Sequence, residues 1–422
     1  MHRCLRPNVN HSENYREALG NALVIALVLS ALISQAAAAD DSLPGLKLHA
    51  FGTGALNYVA SGNADFVRDL SQPDGARGGQ WTGKIDSLVG GQVNIQLSEH
   101  FEIVGQAVSR HRFDDSFTPE LTWAFLKYSP LTNLDIRGGR IGTDFYMRSD
   151  SRLVGYSNLT IRPSVDYYGG LPHQYIDGMD GAMTFELGEG LLRSKVFAGI
   201  SPEKFPLENS EPWNISGSRV FGGSLDYQWR SWQFRFGYAE IHHERDLPGS
   251  FAQLMTVLST VPGTASQAAL NALRVGETAS QHYSMGVIYD EGPLQVQLMV
   301  SGVTSDSAFF QDAVCGYFLT GYRIGEFTPF AGLSWSKSTP DTLQSTRVPA
   351  LDAAIVNTIG RTETNQHTFT LGVRWDFHPG MDLKLQWDAI QGDTNSLYNY
   401  RWEQADWDGR MQVLNMAFDF AF

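Results

Sequence analysis

Leu414, Met416, Phe418, Phe420 and Phe422 alternate with Asn415, Ala417, Asp419 and Ala421, so an apolar strand face runs to the last residue of the chain. Chain termini ordinarily fray into water, and an open strand edge invites unwanted pairing. A terminal strand of this kind is stable only when it is paired on both sides. Leu46 to Tyr58, the first alternating stretch, is the natural partner, and that pairing would close a sheet on itself. The same period of two recurs between these ends. Trp232, Phe234, Phe236 and Tyr238 alternate with Gln233, Arg235 and Gly237, and Phe369, Leu371, Val373, Trp375 and Phe377 with Thr370, Gly372, Arg374 and Asp376. Met381, Leu383, Leu385 and Trp387 likewise alternate with Asp382, Lys384, Gln386 and Asp388. Successive strand side chains point to opposite faces, so each segment has one apolar and one polar side.

The connections alternate in length. Seven short turns, at 98–100, 129–133, 188–190, 229–231, 290–292, 323–326 and 378–380, are interleaved with eight long segments. These are 59–83, 111–118, 142–176, 201–218, 242–280, 304–311, 337–365 and 391–408. Short turns on one rim and long loops on the other are the asymmetry of a membrane barrel. The expected fold is therefore all-β: a transmembrane antiparallel β-barrel of about 16 strands, with short periplasmic turns and long outer loops. A soluble β-sandwich alternates too. Against it, Trp232, Tyr238, Tyr283, Tyr289, Trp335 and Trp375 sit at the ends of apolar faces, where a membrane barrel carries its aromatic girdles.

Composition narrows the function. Gly is 42 of 422 residues and charged residues are 18%, the latter well below the roughly 25% of a soluble domain. A net charge of −14 is wrong for gripping nucleic acid. Asn21 to Ala39 is apolar and ends in alanines before Asp40, as a secretory leader does. We expect a signal peptide at 1–39 and a barrel at 40–422, without a lipoprotein cysteine. Loss of Cys4 with the leader leaves Cys315 alone, so neither an internal disulfide nor a cysteine metal cluster is expected. Enzyme motifs are lacking: there is no Gly-x-Ser-x-Gly, His-Glu-x-x-His or CxxC. His242-His243-Glu244 opens a long polar loop and reads as surface histidines, and Asp177 to Gly181 reads as a turn leading into a strand at Gly181–Leu187. The chain is not expected to be an enzyme or to hold a metal or cofactor.

Five stretches, PELTWAFLKYSP (119–130), LDIRGGRIGTDFYMRSDSRLVGY (134–156), IRPSVDYYGG (161–170), FTPFAGLSWSKS (327–338) and GVRWDFHPGMDLKLQWD (372–388), resemble Gram-negative outer-membrane porins. The run of Phe418, Phe420 and Phe422 resembles the signal that such barrels present to their assembly machinery. The resemblance implies a Gram-negative outer-membrane location, a lipid environment, association as a homotrimer, and a water-filled channel for passive diffusion of small hydrophilic solutes or ions. Ala50, Gly52, Gly54, Gly91, Gly105 and Ala107 offer a small-residue subunit face. In porins the third outer loop folds inward, and 142–176 is third by count. Its Asp144, Arg148, Asp150, Arg152, Arg162 and Asp166, among Tyr146, Tyr156, Tyr167 and Tyr168, are the expected constriction, where opposed charges set up a transverse field. Arg137, Arg193, Lys195, Arg235, Arg374 and Lys384 fall on faces inferred to point inward. On the lipid face they would cost ~2–4 kcal/mol near midplane. Arg140 faces outward by strict alternation unless Gly138-Gly139 forms a bulge. FAQLMTVLST and ASQAALNALRV in loop 242–280 have helical spacing. A substrate-specific anion or sugar porin and a plugged surface-binding barrel are the competing functions.

Overall fold

A computed structural model describes residues 45–171, 173–206, 212–393 and 407–422. The expected leader at 1–39 lies outside the described residues. Sixteen long strands form one sheet: β1 (Leu46–Val59), β2 (Leu88–Gln96), β3 (Phe101–Arg110), β4 (Glu120–Leu131), β5 (Leu134–Gly142), β6 (Tyr175–Leu187), β7 (Gly190–Ile200) and β8 (Arg219–Trp229), followed by β9 (Trp232–His242), β10 (Ala279–Glu291), β11 (Leu294–Ser305), β12 (Asp312–Tyr322), β13 (Phe327–Thr339), β14 (Asn365–His378), β15 (Met381–Gly392) and β16 (Arg410–Ala421). Each pairs antiparallel with its neighbours, and β1 pairs with β16 from Phe51↔Ala421 to Val59↔Val413. The sheet closes. Full closure removes the edges that an open apolar sheet would expose.

The outer wall is made for lipid. Met285 and Val196 are 64% and 65% exposed, and Leu48, Leu225, Leu333, Leu371 and Met416 are exposed on the same face. Aromatic pairs cap this band at the turn rim (Trp232–Tyr289, ring centroids 4.7 Å apart; Phe327–Trp375, 5.6 Å) and at the loop rim (Tyr238–Tyr283, 5.3 Å; Tyr58–Trp81, 5.2 Å). On β13 the band runs from Phe327 to Trp335, eight steps along the strand, which at ~3.4 Å per residue and ~40° tilt stand about 20 Å tall. The register also sets Ala50 beside Gly91 and Gly91 beside Ala107, a small-residue row on this face.

Two sequence readings need correction. Asp177 to Gly181 is not a turn, because β6 already starts at Tyr175. Asp180 faces inward to bond Arg137, while Asp177 faces outward and accepts from Arg140 at 2.7 Å. Arg140 thus points out as strict alternation requires, its charge paired and its guanidinium 4.7 Å from the Tyr175 ring centre. His243, read as a surface residue, is buried, since the inward phase of β9 carries one residue past the strand end. His242, on the opposite phase, is half-exposed and meets Glu240 at 2.7 Å.

The outer loops carry helices: α1 (Val165–Tyr168), α2 (Ser250–Thr260), α3 (Thr264–Leu273) and α4 (Pro349–Ile359). Phe251, Leu254 and Leu258 on α2 and Leu351, Ile355 and Ile359 on α4 follow the i, i+3/i+4 rule and share a buried cluster with Leu247, Phe309 and Trp213. Pro349 starts α4 at the position where its missing N–H costs nothing.

At the seam, Ala50 N donates to Phe422 O at 3.1 Å and Phe422 N to Ala50 O at 2.8 Å, and the Phe418, Phe420 and Phe422 rings stack in a row. Deleting Phe422 removes both hydrogen bonds and one ring of the belt. The expected result is a several-fold drop in heat-modifiable, folded barrel with secretion unchanged, measured by electrophoresis of membrane fractions. An unaltered yield would remove Phe422 from the assembly account.

Candidate functional site

Residues 142–176 leave β5 and re-enter β6, and between those ends they pack against the inward faces of most of the wall. Asp144, at the start, bonds Lys195 on β7 at 2.8 Å and Arg235 on β9 at 2.6 Å. Those two neighbouring cations hold its carboxyl below the usual range despite burial. Phe145 O accepts from Ser284 on β10 at 2.8 Å. Gly155 O accepts from Lys384 on β15 at 2.8 Å, and Tyr156 O and Asn158 O accept from Arg374 on β14 at 2.8 and 3.0 Å. The approach at Gly155 leaves no room for a side chain, since a Cβ there would stand 2.0 Å from Asp419 Oδ1.

Arg162 makes the deepest attachment. It is 3% exposed. Its guanidinium donates to Asp86, to Asp388 on β15 at 2.9 Å and to Asn415 on β16 at 3.0 Å, and lies 4.6 Å from the Phe66 ring centre. Asn57 on β1 and Asn415 brace the two carboxylates at 2.6 and 2.9 Å. Asp166, in α1, accepts from Ser334 on β13 at 2.5 Å and from Gln366 on β14. Tyr146, Tyr167 and Tyr168 interlock at 4.7–5.9 Å and meet Tyr317 on β12. Apolar residues of the segment, Phe145, Met147, Leu159 and Leu171, join Phe197, Ile241, Met299 and Phe330 of the wall in a core inside the barrel.

The six charged residues singled out in this segment therefore do not form one ring. Asp144, Arg162 and Asp166 are ties to the wall, the last two fully buried. Arg148 and Arg152 are half-buried and donate to the segment's own backbone, at Ser157 O and at His173 O (3.2 Å). Asp150 is exposed. Of the six basic wall residues, Lys195, Arg235, Arg374 and Lys384 hold the segment. Arg137 pairs with Asp180, and Arg193 is exposed.

Charge separates across the lumen. On β7–β9, Arg193, Lys195 and Arg235 accompany Asp226 and, from the segment, Asp144, three cations to two carboxylates. Around β14–β16, Arg374, Lys384 and Arg162 face Asp376, Asp382, Asp419, Asp86 and Asp388, three to five. β7 and β15 lie eight strands apart in a ring of sixteen, so the basic and acidic groups oppose each other. Between them β10–β13 present neutral Ser284, Ser301, Gln297 and Tyr317.

Against this geometry the comparisons with known proteins fall into place. The fold is that of the outer-membrane porins. DcaP, an outer-membrane channel of Acinetobacter baumannii, aligns at TM-score 0.54 with 12% identity, covering 89% of this chain and 97% of its own. An anion-selective porin from Comamonas acidovorans gives 0.52 and 11%, covering 89% and 99%, and a loop-deletion form of OmpT, an outer-membrane protein of Vibrio cholerae, 0.53 and 10%, covering 89% and 99%. No protein-family model and no curated protein matches the sequence.

Two further clusters lie in the outer loops. Asp74, His111 and Asp115 converge as metal ligands would, but Lys84 Nζ is 2.9 Å from Asp115 and fills the charge requirement. Glu203 accepts from Gln174 N at 2.8 Å at the root of the segment, and burial pushes its pKa up to about 8, with Glu120 adding to the rise. A carboxyl raised in the folded state gives its full stability below the unfolded value near 4.5 and loses it as pH rises through 8. The wild type should therefore lose on the order of 1 kcal/mol per pH unit in the upper part of this window. Glu203→Gln should flatten the dependence, read as Tm between pH 6 and 9. Parallel curves for the two proteins would refute the buried-acid assignment.

Proposed function

We propose that this chain is a channel of the Gram-negative outer membrane that passes small hydrophilic solutes by passive diffusion, with segment 142–176 narrowing the lumen. The single observation that carries the reading is the opposition of basic β7–β9 and acidic β14–β16 groups around an in-folded segment. A barrel that served only as a scaffold has no use for an arrangement that orders water and sorts solutes by charge. A cavity of about 60 Å³ beside the segment, lined by Arg148, Arg162, Gln297, Tyr317, Gln386 and Asp388 among others, supports the reading with polar space between segment and wall. The anion-selective porin and DcaP support channel function by shared fold.

Liposome swelling tests this. Vesicles holding the folded barrel should swell in glycerol or small amino acids and swell far less in disaccharides. Equal rates with and without protein for every solute would reject the channel. One observation favours a second reading, a plugged barrel: the segment meets the wall from β7 and β9 round to β1, and the inner core around it is apolar. That reading requires no swelling even for the smallest solute.

A further inference from the structure

We propose that the chamber between segment 142–176 and the outer-loop cap is a binding site for an uncharged aromatic solute that carries hydrogen-bond acceptors. The chamber measures about 320 Å³, the size class of small-molecule sites. Its floor is Tyr146 and Tyr167, and its roof is Leu247, Phe251, Phe309 and Phe310. One side is an aromatic wall in which His243 lies 6.2 Å from Trp213 and 5.2 Å from Phe310, and Trp213 lies 5.7 Å from Phe310. Flat rings offered from floor and side favour a flat guest, because offset or edge-on aromatic contacts add to area burial.

Four polar atoms on this lining are buried without a hydrogen-bond partner among the described residues: Nδ1 of His173, Nδ1 of His243, Nε1 of Trp213 and the hydroxyl of Tyr167. Buried polar groups are nearly always satisfied, and an orphan calls for a reason. His243 already uses Nε2, 2.9 Å from Ser280 Oγ, so its other nitrogen is the free one. Trp213 can only donate, and Tyr167 can donate or accept. A guest with carbonyl or ether oxygens supplies what the indole lacks, and the same guest can serve the hydroxyl.

Charge decides the rest. Two ionisable side chains border the lining: Asp166 is capped by Ser334 and Gln366, and Arg361, exposed to solvent, donates to Ser250 at 3.2 Å. Burial also keeps His173 well below its ordinary pKa and lowers His243 to about 4, so both rings are neutral at physiological pH. A charged guest would have to shed its water to enter, which is costly. A neutral one meets no such barrier.

The passage of such a solute rests on the channel reading; its binding does not. The test is equilibrium dialysis of coumarin, a neutral lactone, against the detergent-folded full chain. The expected result is saturable binding of one molecule per chain. Ala313→Phe, which fills the chamber from β12, should weaken it at least tenfold. Trp213→Phe keeps an aromatic ring at the position and loses the N–H, and should weaken it about three- to tenfold. Naphthalene-2-sulfonate and glucose should bind at least tenfold more weakly than coumarin. Absence of saturable coumarin binding would overturn the proposal and mean that water alone fills the chamber. Binding untouched by Trp213→Phe would overturn it as well, since that conservative variant keeps the fold even where Ala313→Phe does not. Conductance without coumarin binding would reject only this site, whereas binding by a barrel silent in bilayers would reject only the channel.

Discussion

Arg162→Ala is expected to free segment 142–176 from the wall and to raise single-channel conductance. Among the described residues the guanidinium is the one group that ion-pairs with both Asp86 and Asp388, and neither carboxylate has water to fall back on: Asp86 is 0% and Asp388 4% exposed. Removing one partner of a buried ion cluster costs about 3–5 kcal/mol, because it strands the charges left behind. Such a cost shifts an in/out equilibrium of the segment by a hundredfold or more. Recordings should show larger and noisier open levels, and the barrel itself should stay closed, since its ladder does not depend on Arg162. A control separates charge from packing. Arg162→Met combined with Asp86→Asn and Asp388→Asn removes all three charges of this cluster together and should restore the low, quiet conductance. Unchanged conductance in Arg162→Ala would show that the segment is held by its tyrosine core alone.

Arg193→Gln should shift selectivity toward cations and Asp150→Asn toward anions, by roughly fivefold in permeability ratio each. A unit charge ~8 Å from a passing ion interacts at ~2 kcal/mol for an effective dielectric of 20. A Debye length of about 10 Å at 0.1 M salt trims that to a little under 1 kcal/mol. Arg193 and Asp150 are exposed, so their loss should leave the ties of the segment intact. Asp144, by contrast, sits between Lys195 and Arg235, and its neutralisation would disturb structure and field together. Reversal potentials under a salt gradient read the shifts. Shifts no larger than those from Lys337→Gln, on the outer end of β13, would mean that the lumen field does not govern permeation.

Much of the barrel was legible in the sequence, for a physical reason. A closed membrane sheet must alternate at every strand, and a two-residue reversal must use the few turns that permit it. Each of the seven short turns between residues 98 and 380 lies where two long strands meet. The partners of the inner segment were not legible. Arg162 reaches Asp86, Asp388 and Asn415 across 76, 226 and 253 residues of sequence, and nothing local in the chain signals such meetings. The same distance hid the separation of charge across the lumen, which belongs to the ring order of strands rather than to any stretch of residues. His243 was legible in hindsight. Glu240–Ile241–His242–His243 continues the alternation beyond the strand, and counting the phase one step further places its ring inside. The chamber it lines draws on Trp213, His173 and Phe310 from three separate loops, so no motif announces it.

The most direct test of the channel account is single-channel recording of the wild-type barrel in planar bilayers, with Arg162→Ala in parallel. The account predicts stable, ohmic steps for the wild type and larger steps for the variant. Silence from both proteins, when each is shown to be folded by its heat-modifiable migration, would contradict it and leave a barrel closed by its own third loop.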